Sequence, residues 1–383
     1  MSDSVIDRLA GFSAARRHAL QVAVVCNIKH DAAYFEYMSS LGLAVVGESD
    51  TTPADTVDMF AEFDEIETVL AIQNALRSAG HSVTILEATP DLPLRLAKNR
   101  PDIVFNIAEG LSGRGREAQV PAILNFLGIP FTGSDETTMC ITMDKALAKR
   151  LLATYGIRTP GYRLVTTDAF ESVATPYSAT VNPDPASSPH DIDAGLTYPL
   201  IIKPNAEGSS KGISNLSVVY DRAELYQALA EELSAYPQDI LVEEYIAGRE
   251  FTVGVLGYGE NLHVFTPMEV IFADARYEIY SYEVKRDFRR YIEYACPPDV
   301  SGELLAEMMA AARTIYRALP CLDSARIDFR LSVPGQLYFI EVNPLPGLAP
   351  GYSDYPMLAG FCGVDYDALI QAVLNSARER YCI

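Results

Sequence analysis

The chain has 383 residues, 49% of them apolar and 21% charged, a globular balance too long for one ordinary core, so two or three domains are expected. Its formal charge is −21, which argues against a nucleic-acid or membrane-surface footprint, since both need basic patches. No apolar run is long enough for a membrane helix, and residues 1–26 lack the apolar core of a signal peptide.

Cysteines at 26, 140, 296, 321, 362 and 382 form no CxxC pair and read as free thiols of a reducing cytoplasm. The five histidines do not cluster, so any metal is expected on carboxylates.

In chain order, residues 1–19 read as a short helix or arm. Gln21 to Asn27 is an apolar strand of the parallel-sheet kind. Residues 30–60 are expected to be an insertion or flap. A helix over 65–79 carries an apolar stripe through Ile66, Val69, Leu70 and Leu76 and stops at Gly80. Strands at 82–86 and 102–106 flank a short helix near 91–98, which together imply a small parallel sheet. The loop 108–115 is Gly-rich and follows the third strand, where open α/β sheets bind ligands; Arg114 and Arg116 are its anion-binding candidates, unless it is a plain surface loop. A helix over 117–127 and a short strand over 129–132 close the first domain, 1–132.

The second domain, 133–240, is expected to open with a helix near 142, capped by Thr142 and carrying Lys145 in its first turn, where a lysine opposes the helix dipole. Residues 172–197 are Pro- and Ser-rich without periodicity, a long loop. The strand 199–203 runs into PNAEGSSKG at 204–212, a phosphate cradle with Lys203, Ser209 and Lys211 that is not a Walker A loop. A returning strand (213–219) and a helix (221–233) follow, and a strand at 240–245 leads into the third domain.

The third domain, 241–383, contains strand 250–256, extended segments at 263–267 and 277–284, a helix over 300–319 and a terminal helix over 365–380. Between the helices lies the stretch RIDFRLSVPGQLYFIEVNPLPG, 326–347. It reads as a hairpin about Pro334-Gly335. Arg326, Asp328 and Arg330 share one strand face; Glu341 and Asn343 share a face of the other, with Ile340 and Val342 opposite. A turn symmetric about Pro334-Gly335 sets Asp328 against Glu341 and Arg326 against Asn343. Facing carboxylates repel unless a cation sits between them, and two carboxylates with an amide oxygen suit Mg²⁺ carrying a nucleotide's phosphates. The other reading is a half-buried hairpin whose polar face meets water.

MDKxxxK at Lys145, Lys203 with GSSKG, EEYIAGRE at 243–250, and RxD…ExN at 326–343 ending in EVNxxPG together resemble the ATP-grasp superfamily, and within it the D-alanine–D-alanine ligase family, over residues 20–375. The resemblance implies an α/β ATP-grasp fold whose two lobes clamp ATP: an N-terminal α/β domain, a central lid and a C-terminal catalytic domain. It implies Lys145 and Lys203 on the phosphates, Glu243, Glu244, Tyr245 and Ile246 beside adenine, and Glu250 on the ribose. It further implies Lys285 near the γ-phosphate, two Mg²⁺ (or Mn²⁺) on Asp328, Glu341 and Asn343, Arg326 and the Gly347 backbone as oxyanion donors, Ser209 as the flap anchor, and a homodimer.

Where the family carries its first-substrate residues this chain departs from it. NIKHDAAYFE stands at the place of a glycine-serine-glutamate motif, with Glu36 the substitute. Glu109 stands in the family's HG loop, Arg286 at a tyrosine, and Ser353 is the nearest match to the serine gripping the acceptor carboxylate. The expectation is an ATP-dependent carboxylate–amine ligase with a small-molecule donor larger or more acidic than D-alanine, read by Arg114, Arg116 and Arg286, and an amino-acid acceptor. The other readings are authentic D-alanine–D-alanine ligation, an idle nucleotide-binding cleft, and a kinase that stops at a phosphorylated product.

Overall fold

The computed structural model describes residues 18–30, 62–110, 112–166, 170, 192–207, 217–235, 238–272 and 291–383. The expected flap at 30–60, the cradle residues Ser209 and Lys211, and Lys285 and Arg286 lie outside the described residues, apart from the flap's first residue, His30. So does most of the 172–197 loop.

Strand β1 (Gln21–Cys26) is buried except at Gln21. It is the middle of a parallel sheet in the order β2 (Ser82–Glu87), β1, β3 (Ile103–Ile107). Its continuous apolar run follows from cover on both faces. Helix α1 (Ile66–Ser78) lies on one face and buries Ile66, Val69, Ile72 and Leu76, residues at helical spacing. On the other face, α2 (Leu92–Lys98) and α3 (Gln119–Leu127) pack Leu92, Leu96, Val120 and Leu124 against Ala23, Val25 and Val104. Gly128 stops α3 in the left-handed region at φ +63°.

Two consecutive helices follow, α4 (Glu136–Met143) and α5 (Lys145–Ala153). This corrects the expected single helix capped by Thr142. The cap of α5 is Asp144, whose Oδ1 accepts from Leu147 N at 2.9 Å. Thr142 sits inside α4 with its hydroxyl donating to Thr138 O at 2.8 Å. A carboxylate accepts at a helix start and suits the dipole, so Asp144 outcompetes a threonine two residues earlier.

The central sheet is antiparallel, in the order β4 (Tyr162–Val165), β7 (Ile240–Glu244), β5 (Leu200–Pro204), β6 (Val218–Val219). Helix α6 (Arg222–Ala235) covers it through Leu225 and Leu229. Strand β7 pairs with both β4 and β5, so Ile240–Glu244 belongs to this sheet.

The third sheet runs β11 (Ile292–Ala295), β10 (Met268–Phe272), β8 (Gly248–Leu256), β12 (Ser324–Ser332), β13 (Leu337–Asn343), with β9 (His263–Val264) also on β8. Helix α7 (Gly302–Ala318) packs Met308, Ala312 and Ile315 on Val253, Ile327 and Phe329, and Leu152 of α5 joins that core. The last helices, α8 (Asp354–Phe361) and α9 (Tyr366–Tyr381), return to the first sheet. Tyr355, Leu358, Leu369 and Val373 share one core with Val24, Val69 and Ile72. The first 132 residues therefore do not complete their own core. No single helix among the described residues is long and apolar enough to cross a membrane.

Candidate active site

The hairpin β12–β13 sets the site. Arg326 pairs with Asn343 and Asp328 with Glu341, as the symmetric turn predicts, but by another route. Nearest the turn the register is Leu331↔Leu337, Arg330↔Tyr338 and Phe329↔Phe339, one residue short of that symmetry. The loop is Val333-Pro334-Gly335, with Ser332 N bonded to Gln336 O and Gly335 at φ +86°. A β-bulge at Ile340 then adds one residue to β13 and restores the Asp328–Glu341 pair. The bulge also puts Phe339 and Val342, rather than Ile340 and Val342, into the core together.

Asp328 is the most heavily bonded residue of the group. It accepts from Thr252 Oγ1 at 2.7 Å, Arg326 Nη2 at 2.9 Å and Asn343 Nδ2 at 3.3 Å. Arg326 also approaches Glu341 at 4.0 Å and Asp354 at 3.7 Å. Burial opposes its charge, yet Asp328 and Asp354 outweigh burial and hold the guanidinium protonated. Asp354 is itself oriented by Tyr294, whose hydroxyl donates to Oδ1 at 3.1 Å. Thr252, Tyr294 and Asp354 are absent from the sequence-based site, because each meets it from another strand or helix and no local motif marks it.

The donor set fits a hard divalent cation: two carboxylates and one amide oxygen on adjacent strands. Among the described residues no group of three or more His, Cys, Asp or Glu side chains is placed to hold a metal ion. Asp328, Glu341 and Asn343 would supply only part of the coordination sphere of such an ion.

The expected phosphate lysines lie on neighbouring elements. Lys145 opens α5, and its ammonium donates to Glu207 O. The strand end is bound to the same helix start by Asn205, which accepts from Ala146 N at 3.0 Å and donates to Asp144 at 2.9 Å. Desolvation lowers the Lys145 pKa even though Glu341 opposes it. Lys203 on β5 lies 2.5 Å from Glu243, and Lys149 of α5 lies 2.7 Å from the other oxygen of the same carboxylate. These side chains are 5%, 0% and 2% exposed for Lys203, Lys149 and Glu243. Burial pushes Lys149 down to about 8 against the pull of Glu243. Burial would raise Glu243, but the two lysines outweigh it and hold its carboxyl below the ordinary value.

Of the segment expected beside adenine, Glu243 thus points to the lysines. Glu244 accepts from Thr197 N at 2.9 Å and Gly161 N at 3.3 Å. Tyr245 donates its backbone N–H to Pro199 O and lies under the Arg330 guanidinium, 4.8 Å from the ring centre. Ile246 is half-buried. Glu250 sits 4.0 Å from Arg330.

A cavity of about 390 Å³ adjoins the hairpin, lined among others by Lys145, Arg326, Glu341, Asn343, Gly347 and Ser353. Ser353 Oγ accepts from Ala349 N at 3.1 Å and lies 2.8 Å from where a Cβ on Gly347 would stand. Glu62, Asp64, Glu109, Glu117 and Glu207 also line it, with Lys29. Desolvation and neighbouring carboxylates push Asp64 and Glu117 each up to about 7, and Glu109 also upward.

Arg114 and Arg116 do not add free positive charge to this cavity, which corrects the expectation placed on them. Arg116 is 6% exposed, bonded to both oxygens of Glu62 at 2.8 and 2.7 Å and to Ala206 O at 2.8 Å, with Glu207 at 3.4 Å. Arg114 is 74% exposed and holds Asp144 at 2.5 Å. The carboxylates that claim them lie on distant stretches of chain, which is why they read as unpaired in the sequence.

A family model described as D-ala D-ala ligase C-terminus matches residues 152–375. A D-alanine–D-alanine ligase of Gloeobacter violaceus is 31% identical over 313 residues, 81% of this chain and 93% of that protein. An uncharacterized protein, y4sG, of Sinorhizobium fredii is 31% identical over 315 residues, 80% of this chain and 86% of that one. Among solved structures, the D-alanine–D-alanine ligase of Bacillus anthracis complexed with ATP superposes with a TM-score of 0.66 at 21% identity, covering 94% of this chain and 98% of that one. The VanG D-Ala:D-Ser ligase of Enterococcus faecalis gives 0.67 at 21%, covering 94% and 100%.

Proposed function

The chain belongs to the D-alanine–D-alanine ligase family of ATP-grasp enzymes, and from that membership we propose that it joins a carboxylate donor to an amino-acid acceptor, forming ADP, phosphate and an amide. A carboxylate is a poor electrophile. Phosphorylation by ATP gives an acyl-phosphate, whose carbonyl an amine attacks as phosphate leaves. Both steps gather negative charge on oxygen, where fixed cations lower the barrier.

Mg²⁺ or Mn²⁺ on Asp328, Glu341 and Asn343 would neutralise the transferring phosphate. Thr252 orients Asp328, and Asp354 aims Arg326 at the cavity, where its guanidinium would meet the developing oxyanion. Lys145 would bind phosphate oxygens from the start of α5. Lys203 would exchange Glu243 for a phosphate, with Lys149 retained as the partner of that carboxylate. Glu250 would take the ribose hydroxyls, and Ser353 the acceptor carboxylate. The observation that carries the reading is the pairing of Arg326 with Asn343 and of Asp328 with Glu341 beside a cavity that also receives Lys145.

The donor expected from the arginines is larger or more acidic than D-alanine; the carboxylates lining the cavity support another class. Asp64, Glu109 and Glu117 line the cavity, while Arg116 and Glu62 neutralise each other. This surface suits a donor that carries an ammonium group besides its reactive carboxylate. That feature also favours a second reading, ligation of two D-alanines, since the first of them would bring such a group.

The test is phosphate release with Mg·ATP across a matrix of amino-acid and dicarboxylate donors with amino-acid acceptors, read by mass of the product. Amide formation from amino-acid donors alone supports the reading. A preference for donors without an amine refutes the substrate class, and phosphate kept on a hydroxyl product refutes the ligase. Binding of ATP with no ADP release under any donor and acceptor points to an idle cleft.

A further inference from the structure

Lys149 is fully buried, and its ammonium reaches two elements at once. It lies 2.7 Å from Glu243 Oε1 on the central sheet and donates to the carbonyl of Ile340 at 3.1 Å on β13. Its charge also stands over the Phe339 ring, 5.5 Å from the centre. Ile340 is the extra residue of the bulge, which falls outside the strand pairing. Upstream of that bulge Phe339 faces the core; downstream of it Glu341 and Asn343 take the register that opposes Asp328 and Arg326. A strand slipped by one residue sends its side chains to the other face. The bond to Ile340 therefore bears on where Glu341 and Asn343 stand.

We propose that Lys149 is a positioning residue for the metal-binding pair Glu341 and Asn343, acting through the Ile340 carbonyl, and that it ties this pair to the central sheet through Glu243. The inference rests on the metal-site reading above. A lysine that only balanced Glu243 would need no bond to β13. An apolar side chain of equal length would fill the same space and leave the bulge carbonyl without its donor, a cost normally paid in lost order or stability.

The experiment measures Mn²⁺ binding to the full chain, by electron paramagnetic resonance, in the presence of a non-hydrolysable ATP analogue, together with thermal unfolding. Wild type, Lys149→Met, Lys149→Arg, Glu243→Gln and Asp328→Asn are compared. Asp328→Asn is expected to weaken Mn²⁺ by about a hundredfold; Lys149→Met by about tenfold, and Lys149→Arg by about threefold because the charge remains but the donor shifts. Glu243→Gln, which spares the bond to Ile340 but cuts the tie to the central sheet, is expected to lower the melting temperature and to weaken Mn²⁺ by less than Lys149→Met does. Wild-type Mn²⁺ affinity in both Lys149 variants, with only the melting temperature lowered, overturns the inference. If Lys149→Met does not fold, wild-type affinity in Lys149→Arg alone overturns it. Unchanged affinity in Asp328→Asn would instead overturn the metal site itself, and the inference with it.

Discussion

Replacing Glu243 by Gln removes the one carboxylate that serves two buried ammonium groups. Lys149 and Lys203 are 0% and 5% exposed and lie 2.7 and 2.5 Å from its oxygens. Removing one partner of a buried ion pair costs about 3–5 kcal/mol, because the other charge is stranded. The amide oxygen can still accept from one lysine, so about 3 kcal/mol is expected at pH 6. The cost should depend on pH, and the sign follows from Lys149. Its ammonium titrates near 8 in the folded protein, below its ordinary 10.5, so between those values the unfolded chain binds more protons and stability rises with pH. Without Glu243 the folded pKa falls further, and the variant enters that rising window at lower pH than the wild type. By pH 9 Lys149 can be neutral in both proteins, and about half the difference should remain. Urea unfolding at pH 6 and pH 9 measures it. A loss below about 1 kcal/mol at pH 6, or the same loss at both pH values, would refute the ion-cluster reasoning.

Other substitutions test other parts of the structure. Asp64 and Glu117 are each held near 7, above their ordinary values, so the folded state keeps protons that the unfolded chain gives up between about pH 4 and 7, and stability from these groups falls as pH rises through that window. Asp64→Asn and Glu117→Gln should each stabilise the protein at pH 8 by about 1–2 kcal/mol, discounted for solvent access, and not at pH 4; equal melting shifts at both would contradict this. Gly248 has φ +142°, and a Cβ there would come within 2.0 Å of Leu331 O; Gly248→Ala should cost about 3 kcal/mol or more in unfolding experiments by splaying β8 from β12. Gly347→Ala would press on Ser353 Oγ at 2.8 Å; steady-state kinetics should show the acceptor KM raised about tenfold with ATP KM unchanged, on the order of 1.4 kcal/mol.

Much of the frame was legible because it is written in short-range pattern. The apolar run of β1, the stripe of α1, the glycine after α3 and the alternation of β12 each follow from residues a few positions apart. The pairing of Asp328 with Glu341 was also legible, although the turn and the bulge that produce it were not; they offset each other by one residue. Tertiary structure alone decided the rest. Arg116 reads as a spare cation until Glu62 and Glu207 are brought to it from 54 and 91 residues away. Asp354, Thr252 and Tyr294 become site residues only when α8, β8 and β11 converge on Arg326 and Asp328. Lys149 shows the division most plainly. Its place on α5 follows from the helix pattern, but its partners Glu243 and Ile340 lie on two different sheets. Local propensities act between neighbours, whereas a buried charge takes whichever opposite charge the folded core leaves within reach.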